Sequence, residues 1–222
     1  MITPKVCIAI GNGGFREEDI SAVAQYISEE RMKRAGRYYQ QRDRDNCIVS
    51  YFLLRYGLMK YYGISEVPAV SKEEHGKPYF EDSSVFFNIS HSDTAVCCGI
   101  ADEKIGVDIQ SREVNYENIV KSTMSEAEAA VINISPRPNE EFTRFWTLKE
   151  SIVKYRGTGI GDNIQDIDFS ASEVGTFLHG GLIFRSEWHE AYCISACTEK
   201  NESEFIIRDL SEYIEEFRDL MK

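Results

Sequence analysis

The stretch 104–110, Lys-Ile-Gly-Val-Asp-Ile-Gln, constrains this chain most, because Ile105, Val107 and Ile109 alternate with Gly106, Asp108 and Gln110. Period-two alternation predicts a strand with the apolar trio on one face and Asp108 and Gln110 together on the other. An acid beside an amide on an otherwise good strand calls for a partner. The stretch 142–154 is the second informative one. Phe142, Phe145, Trp146, Ile152 and Val153 fall at helical spacing and predict an amphipathic helix over about 140–155. Glu150 and Lys154, four residues apart, share one flank of it. Lys149 falls inside the apolar stripe, where its ammonium must reach out of the packing surface or meet an anion. Taken together, Asp108, Gln110, Glu150 and the two lysines can hold a hard cation and a phosphate. Taken singly, each also fits a plainer role, such as a solvent-facing edge strand or a surface ion pair.

At 222 residues the chain has room for one large domain or two of roughly 100 residues. No apolar run approaches the roughly 20 residues needed to cross a bilayer, and the first residues lack a signal-peptide pattern, so a cytoplasmic protein without membrane contact is expected. Six cysteines without CxxC spacing and four histidines without ligand spacing argue against zinc. The thiols read as small buried hydrophobes. A net charge of −12 argues against nucleic acid as the partner. Residues 31–60 nevertheless carry Arg31, Lys33, Arg34, Arg37, Arg42, Arg44, Arg55 and Lys60 against Asp43 and Asp45. That local excess suits a small anionic ligand, or a solvated helix face.

Along the chain, a strand is expected over 5–10, then a glycine-rich turn at 11–14 that could also cradle a phosphate. Helices are expected over 17–27, 28–39 with Ser28 as N-cap, and 44–62. Strands over 85–89 and 94–101 flank a turn at 90–93. After the 105–110 strand come helices at 116–121, 125–134 and 140–155, strands near 166–169, 176–184 and 192–197, and a terminal helix over 212–220. Helices followed by a hairpin, twice over, predict an α+β fold of two similar halves, 1–104 and 105–222, with a site between them.

Two further motifs precede the first strand discussed. In His75-Gly76-Lys77-Pro78, proline stiffens a turn from which Lys77 projects. In Asn88-Ile-Ser90-His91-Ser92, hydroxyls and an imidazole with backbone N–H groups would make a phosphate cradle, though His91 could equally bond a nearby carbonyl. GKP, NISHS, GVDIQ and FWTLKESIVK, in this order and spacing, resemble the 4′-phosphopantetheinyl transferase family of the longer, surfactin-synthetase-activating type. The resemblance covers about residues 28–160, and the KES helix combined with NISHS is its specific part.

The resemblance implies a monomer of two α+β halves that binds coenzyme A and Mg²⁺ between them. It implies transfer of 4′-phosphopantetheine to a serine of an apo acyl or peptidyl carrier protein, releasing adenosine 3′,5′-bisphosphate. Carried over by position, Asp108 and Glu150 are the expected metal carboxylates, with Gln110 a third ligand, directly or through water. Lys154 and His91 are expected phosphate contacts. Arg31, Arg34, Lys77, Ser90 and Lys149 are further expected coenzyme A contacts. Glu150 is the expected base for the serine proton, with Lys154 and His91 offsetting charge. Glu128 matches an acid that lies near the metal in some members. Docking of an acidic carrier on this acidic chain is expected to be mainly apolar, with steering from the basic helices.

Two positions depart from the family. Its strand usually reads Asp-x-Glu, whereas the second acid here is Gln110, which removes a charge and predicts weaker Mg²⁺ affinity. Asn46 stands where arginine is more typical. The departure at Gln110 also favours an alternative reading, a binding module for coenzyme A or a carrier protein that has lost activity.

Overall fold

Alternating apolar residues on strands and apolar helix faces build four layers, helix–sheet–sheet–helix, in the computed structural model, which describes residues 2–113, 117–159, 161 and 163–222. The first part runs β1 (Lys5–Ile10), α1 (Glu17–Ala24), α2 (Glu29–Ala35), α3 (Gln41–Tyr62), β2 (Val70–Lys72), β3 (Pro78–Phe80), β4 (Phe86–Ser92) and β5 (Ala95–Ala101). The second runs β6 (Ile105–Ser111), α4 (Val120–Thr123), α5 (Glu126–Ile134), α6 (Pro138–Arg156), a 3₁₀ turn at Ile164–Asp166, β7 (Gly175–His179), β8 (Leu182–His189) and β9 (Tyr192–Thr198). The chain then closes with β10 (Glu204–Arg208) and α7 (Leu210–Leu220).

One sheet has the order β10-β1-β5-β4 and the other β6-β9-β8-β7, while β2 and β3 pair only with each other. All pairings are antiparallel except β1 with β10. Cys7, Val96, Cys98 and Ile100 face α3 and α7, where Phe52, Tyr56, Tyr213 and Phe217 fill the first core. Phe142, Phe145, Leu148 and Ile152 of α6 pack with Phe169 and Phe184 in the other half. Between the sheets lie Val6, Ile8 and Cys97 against Ile105, Val107, Ile109 and Ile194, so the apolar trio of the 105–110 strand does face a core.

The expected division at 104/105 fails at the end of the chain. β10 adds to β1, and α7 buries Leu210, Tyr213, Ile214 and Phe217 in the first core, so residues 204–220 complete the first half. Glu216 of α7 accepts hydrogen bonds from Tyr56, Lys60 and Arg208, which ties the returning helix to α3. Other local expectations also change. Residues 90–92 extend β4 instead of turning, and the hairpin closes on Asp93–Thr94 with Asp93 at φ 54°. That left-handed position suits a short polar side chain in a two-residue hairpin turn. The expected strand at 176–184 is two strands, broken at Gly180 and Gly181, and residues 166–169 form no strand. The helix expected from 116 begins at Val120; Tyr116 lies outside the described residues. Asn46 is buried in α3 and donates to the Asp93 carbonyl at 2.8 Å, so it anchors the hairpin turn.

Candidate functional site

Gly106 brings the site together. A Cβ there would collide with the Ser151 carbonyl oxygen and the Tyr155 nitrogen, so only glycine lets α6 lie directly on β6. Asp108 follows two residues later on the same face, and α6 delivers Glu150 and Lys154 above it. Lys154 Nζ donates to Asp108 Oδ1 at 2.6 Å and to Ser90 Oγ at 2.8 Å, and Ser90 itself donates to Asp108 Oδ1 at 2.6 Å. Glu150 Oε2 stands 3.9 Å from the same ammonium. Its Oε1 is buried and has no hydrogen-bond partner among the described residues.

The electrostatics follow from this crowding. Burial, with the neighbouring Asp108 adding repulsion and Lys154 opposing both, pushes the Glu150 carboxyl up to about 7. Burial works against the charge on Lys154, but Asp108 outweighs it and raises the ammonium pKa. The His91 imidazole keeps an open edge, yet the protein packed around it and the Lys154 charge hold it below the usual value. Lys77 is lowered by burial; it donates to the Tyr155 carbonyl at 3.1 Å, near the C-terminus of α6.

Two adjoining clefts flank β4. One of about 290 Å³ is lined by His75, Lys77, Asn88, Glu150, Lys154 and Gly159, among others. The other, about 690 Å³, is walled by Arg31, Arg34, Tyr51, Lys72, Phe87 and His91. Gly76, Pro78 and Ile89 border both. The structure therefore brings Asp108, Glu150, Lys154 and Ser90 into one cluster, with Lys77 beside it and Arg31, Arg34 and His91 in the continuation. Arg31 lies over the Tyr51 ring at 4.9 Å. Gln110 is half-buried on the Asp108 face, two residues on and opposite Cys193 in the ladder.

Ser90 and His91 do not share a cradle. Strand alternation puts Ser90 on the side of Asp108 and His91 in the larger cleft, because the expected turn is strand. Lys149 requires a larger correction. It is fully buried, 2.7 Å from Glu128, which is fully buried too, and it donates to the Ile164 carbonyl at 3.0 Å. An ammonium so enclosed is not a coenzyme A contact. Glu128 correspondingly accepts from the backbone N–H groups of Ser125 and Phe169, which spends its oxygens on α5 and the 164–169 segment instead of a metal. His75 lines the smaller cleft too, and its place directly before Gly-Lys-Pro is the signal for it in the sequence. Among the described residues, no three His, Cys, Asp or Glu side chains gather as a metal cage.

Residues 104–199 match the family described as the 4′-phosphopantetheinyl transferase superfamily, and residues 16–103 match the one described as 4′-phosphopantetheinyl transferase, N-terminal. The two matches run consecutively through both halves, and the chain belongs to the 4′-phosphopantetheinyl transferase superfamily. A 4′-phosphopantetheinyl transferase of Bacillus subtilis is 29% identical over 149 residues, covering 65% of this chain and 65% of that protein. The transferase gsp of Aneurinibacillus migulanus is 28% identical over 181 residues, 78% of this chain and 76% of its own. Sfp of Bacillus subtilis strain 168 is 27% identical over 148 residues, 65% of this chain and 66% of its own. The match thus spans just under two thirds of the first of these relatives.

Proposed function

We propose that this protein transfers 4′-phosphopantetheine from coenzyme A to a serine hydroxyl of an apo acyl or peptidyl carrier protein. The observation that carries the reading is that Glu150 and Lys154, the latter bonded to the buried Asp108, line a cleft that continues into the arginine-bearing one. In this reading Arg31, Arg34 and His91 hold the phosphate-bearing nucleotide end of coenzyme A, and Lys77 and Lys154 face its diphosphate.

The side chains present fit Mg²⁺. This ion takes oxygen ligands, usually one or two carboxylates alongside substrate phosphates and water, so a cage of three protein acids is not required. The buried, unpartnered Glu150 Oε1 is an oxygen in want of a cation, and Asp108 supplies the second carboxylate. Gln110 lies on the same strand face, able to ligate or to hold a water. When bound, the ion would offset charge on the diphosphate oxygens. The remaining work belongs to the chain. Lys154 neutralises charge on the transferred and departing phosphates, and Ser90 keeps Lys154 and Asp108 in place. Glu150 takes the proton from the carrier serine.

The test is to incubate the protein with coenzyme A, Mg²⁺ and apo carriers, and to weigh the carriers. A gain of one phosphopantetheine is expected. Coenzyme A binding without gain on any of several carriers would instead favour the binding-module reading.

A further inference from the structure

β6 ends the second sheet, so one row of its N–H groups has no strand neighbour. That open edge is closed by side chains of the other half instead of by backbone. Asn88 Oδ1 accepts from the Val107 N–H at 2.8 Å, and Ser92 Oγ accepts from the Ser111 N–H at 3.2 Å. Between them, Ser90 reaches Asp108 at 2.6 Å. All three come from alternate positions of β4 and hence from one face of it. Ile89 and His91, on the opposite face, border the large cleft.

We propose that Asn88 and Ser92 are positioning residues, two side-chain staples that fix the register and spacing of β6 against β4 so that Ser90 and Lys154 meet Asp108. The physical reason lies in what the alternatives would do. A backbone ladder between β4 and β6 would draw the strands to about 4.8 Å and fuse the two sheets. With no connection, the Val107 N–H would be left buried and unsatisfied, and β6 would be free to slide. Slippage by one residue would turn Asp108 away from Lys154 altogether. Side-chain acceptors of intermediate reach hold the strands apart and in register. Asn88 is 4 % exposed, and Val107 is fully buried, so water cannot easily replace this bond.

The kinetic part of the test rests on the transferase reading, whereas the exchange part does not. Amide exchange would be followed in the full chain for Asn88→Ala, Ser92→Ala and Asn88→Asp. The Val107 amide should exchange about tenfold faster or more in Asn88→Ala, and the Ser111 amide similarly in Ser92→Ala, with β5 amides unchanged. Asn88→Asp keeps an acceptor oxygen and should retain Val107 protection. In transfer assays, kcat of Asn88→Ala should fall roughly tenfold or more because a small displacement of Asp108 is costly. In Ser92→Ala, whose side chain lines neither cleft, kcat should fall while coenzyme A affinity stays within about twofold, a split that general destabilisation would not produce. Unchanged Val107 exchange in Asn88→Ala would overturn the proposal. So would parallel loss of kcat, coenzyme A affinity and melting temperature in Ser92→Ala. If the wild-type chain exchanges as expected yet modifies no carrier, the transferase reading fails and the staples stand.

Discussion

Lys154 donates to Asp108 at 2.6 Å across the contact between α6 and β6, and Ser90 from the other half bonds both. This one junction joins three elements and both halves. Asp108→Ala and Lys154→Ala should each lower carrier modification by about 100-fold or more, the scale of losing an aligned charge at a phosphoryl-transfer site. Mass spectrometry of the carrier reads the loss, and circular dichroism should show the fold intact. Near-normal rates in both variants would remove these residues from the reaction.

Gln110 stands where the family strand usually carries an acid, on the same face as Asp108. Replacing it by glutamate adds a charge toward the proposed ion. The Mg²⁺ concentration for half-maximal rate should fall several-fold in Gln110→Glu. An unchanged Mg²⁺ dependence would place the side chain away from the ion.

Glu150 gives a pH signature in the metal-free protein. Its carboxyl rises to about 7 in the fold, through burial first and Asp108 second, from an ordinary value of 4.5. Between these values the native state holds more protons here than the unfolded chain does. Stability from this group is therefore undiminished below pH 4.5, declines as pH rises toward 7 and stays reduced above it. Glu150→Gln should remove the decline, gaining on the order of 2–3 kcal/mol relative to wild type at pH 8 compared with pH 4. The facing groups Asp108 and Lys154 are the same in both proteins, so denaturation at several pH values isolates the difference. Parallel pH–stability curves would refute the assignment.

Glu216 has the opposite sign. Burial works against its charge, but hydrogen bonds from Lys60, Tyr56 and Arg208 prevail and depress it to about 2. Its contribution is present above the unfolded value near 4.5 and is lost as pH falls toward 2. Glu216→Gln should cost about 1–3 kcal/mol at neutral pH and progressively less in acid. Urea titrations at pH 7 and pH 3 would show it, and an equal cost at both would contradict the network.

What the sequence displayed and what it hid follow one physical distinction. Ile105 to Ile109 and the 140–155 helix were legible because each buries a periodic apolar face, and periodicity is written locally. The residue types of Asp108, Glu150 and Lys154 suggest a shared site, but no local pattern sets the distance between a strand and a helix, and the family resemblance is what ties them together. β10 carries little local signal, because Glu204–Arg208 is short and half-buried and its pairing with β1 spans nearly the whole chain. Ser90–Ser92 reads locally as a turn, because serine and the following Asp93 favour turns. There the tertiary contacts of Ser90 and Ser92 override propensity.

Lys149 posed a choice between reaching out of the packing surface and meeting an anion, and the fold resolves it inward, against Glu128 at 2.7 Å. Neither side chain has any exposed surface, and the pair also grips the Ile164 carbonyl and the Phe169 N–H, on the segment that follows α6. Removing one partner strands a buried charge. Lys149→Met should therefore destabilise the fold by about 3–5 kcal/mol. Its cause would be structural: at a temperature where the variant is still folded, coenzyme A affinity should remain within about threefold of wild type, since the side chain lines neither cleft. Calorimetric melting and coenzyme A titration on the same sample decide between the two roles. A normal melting temperature combined with lost coenzyme A binding would return Lys149 to the binding site.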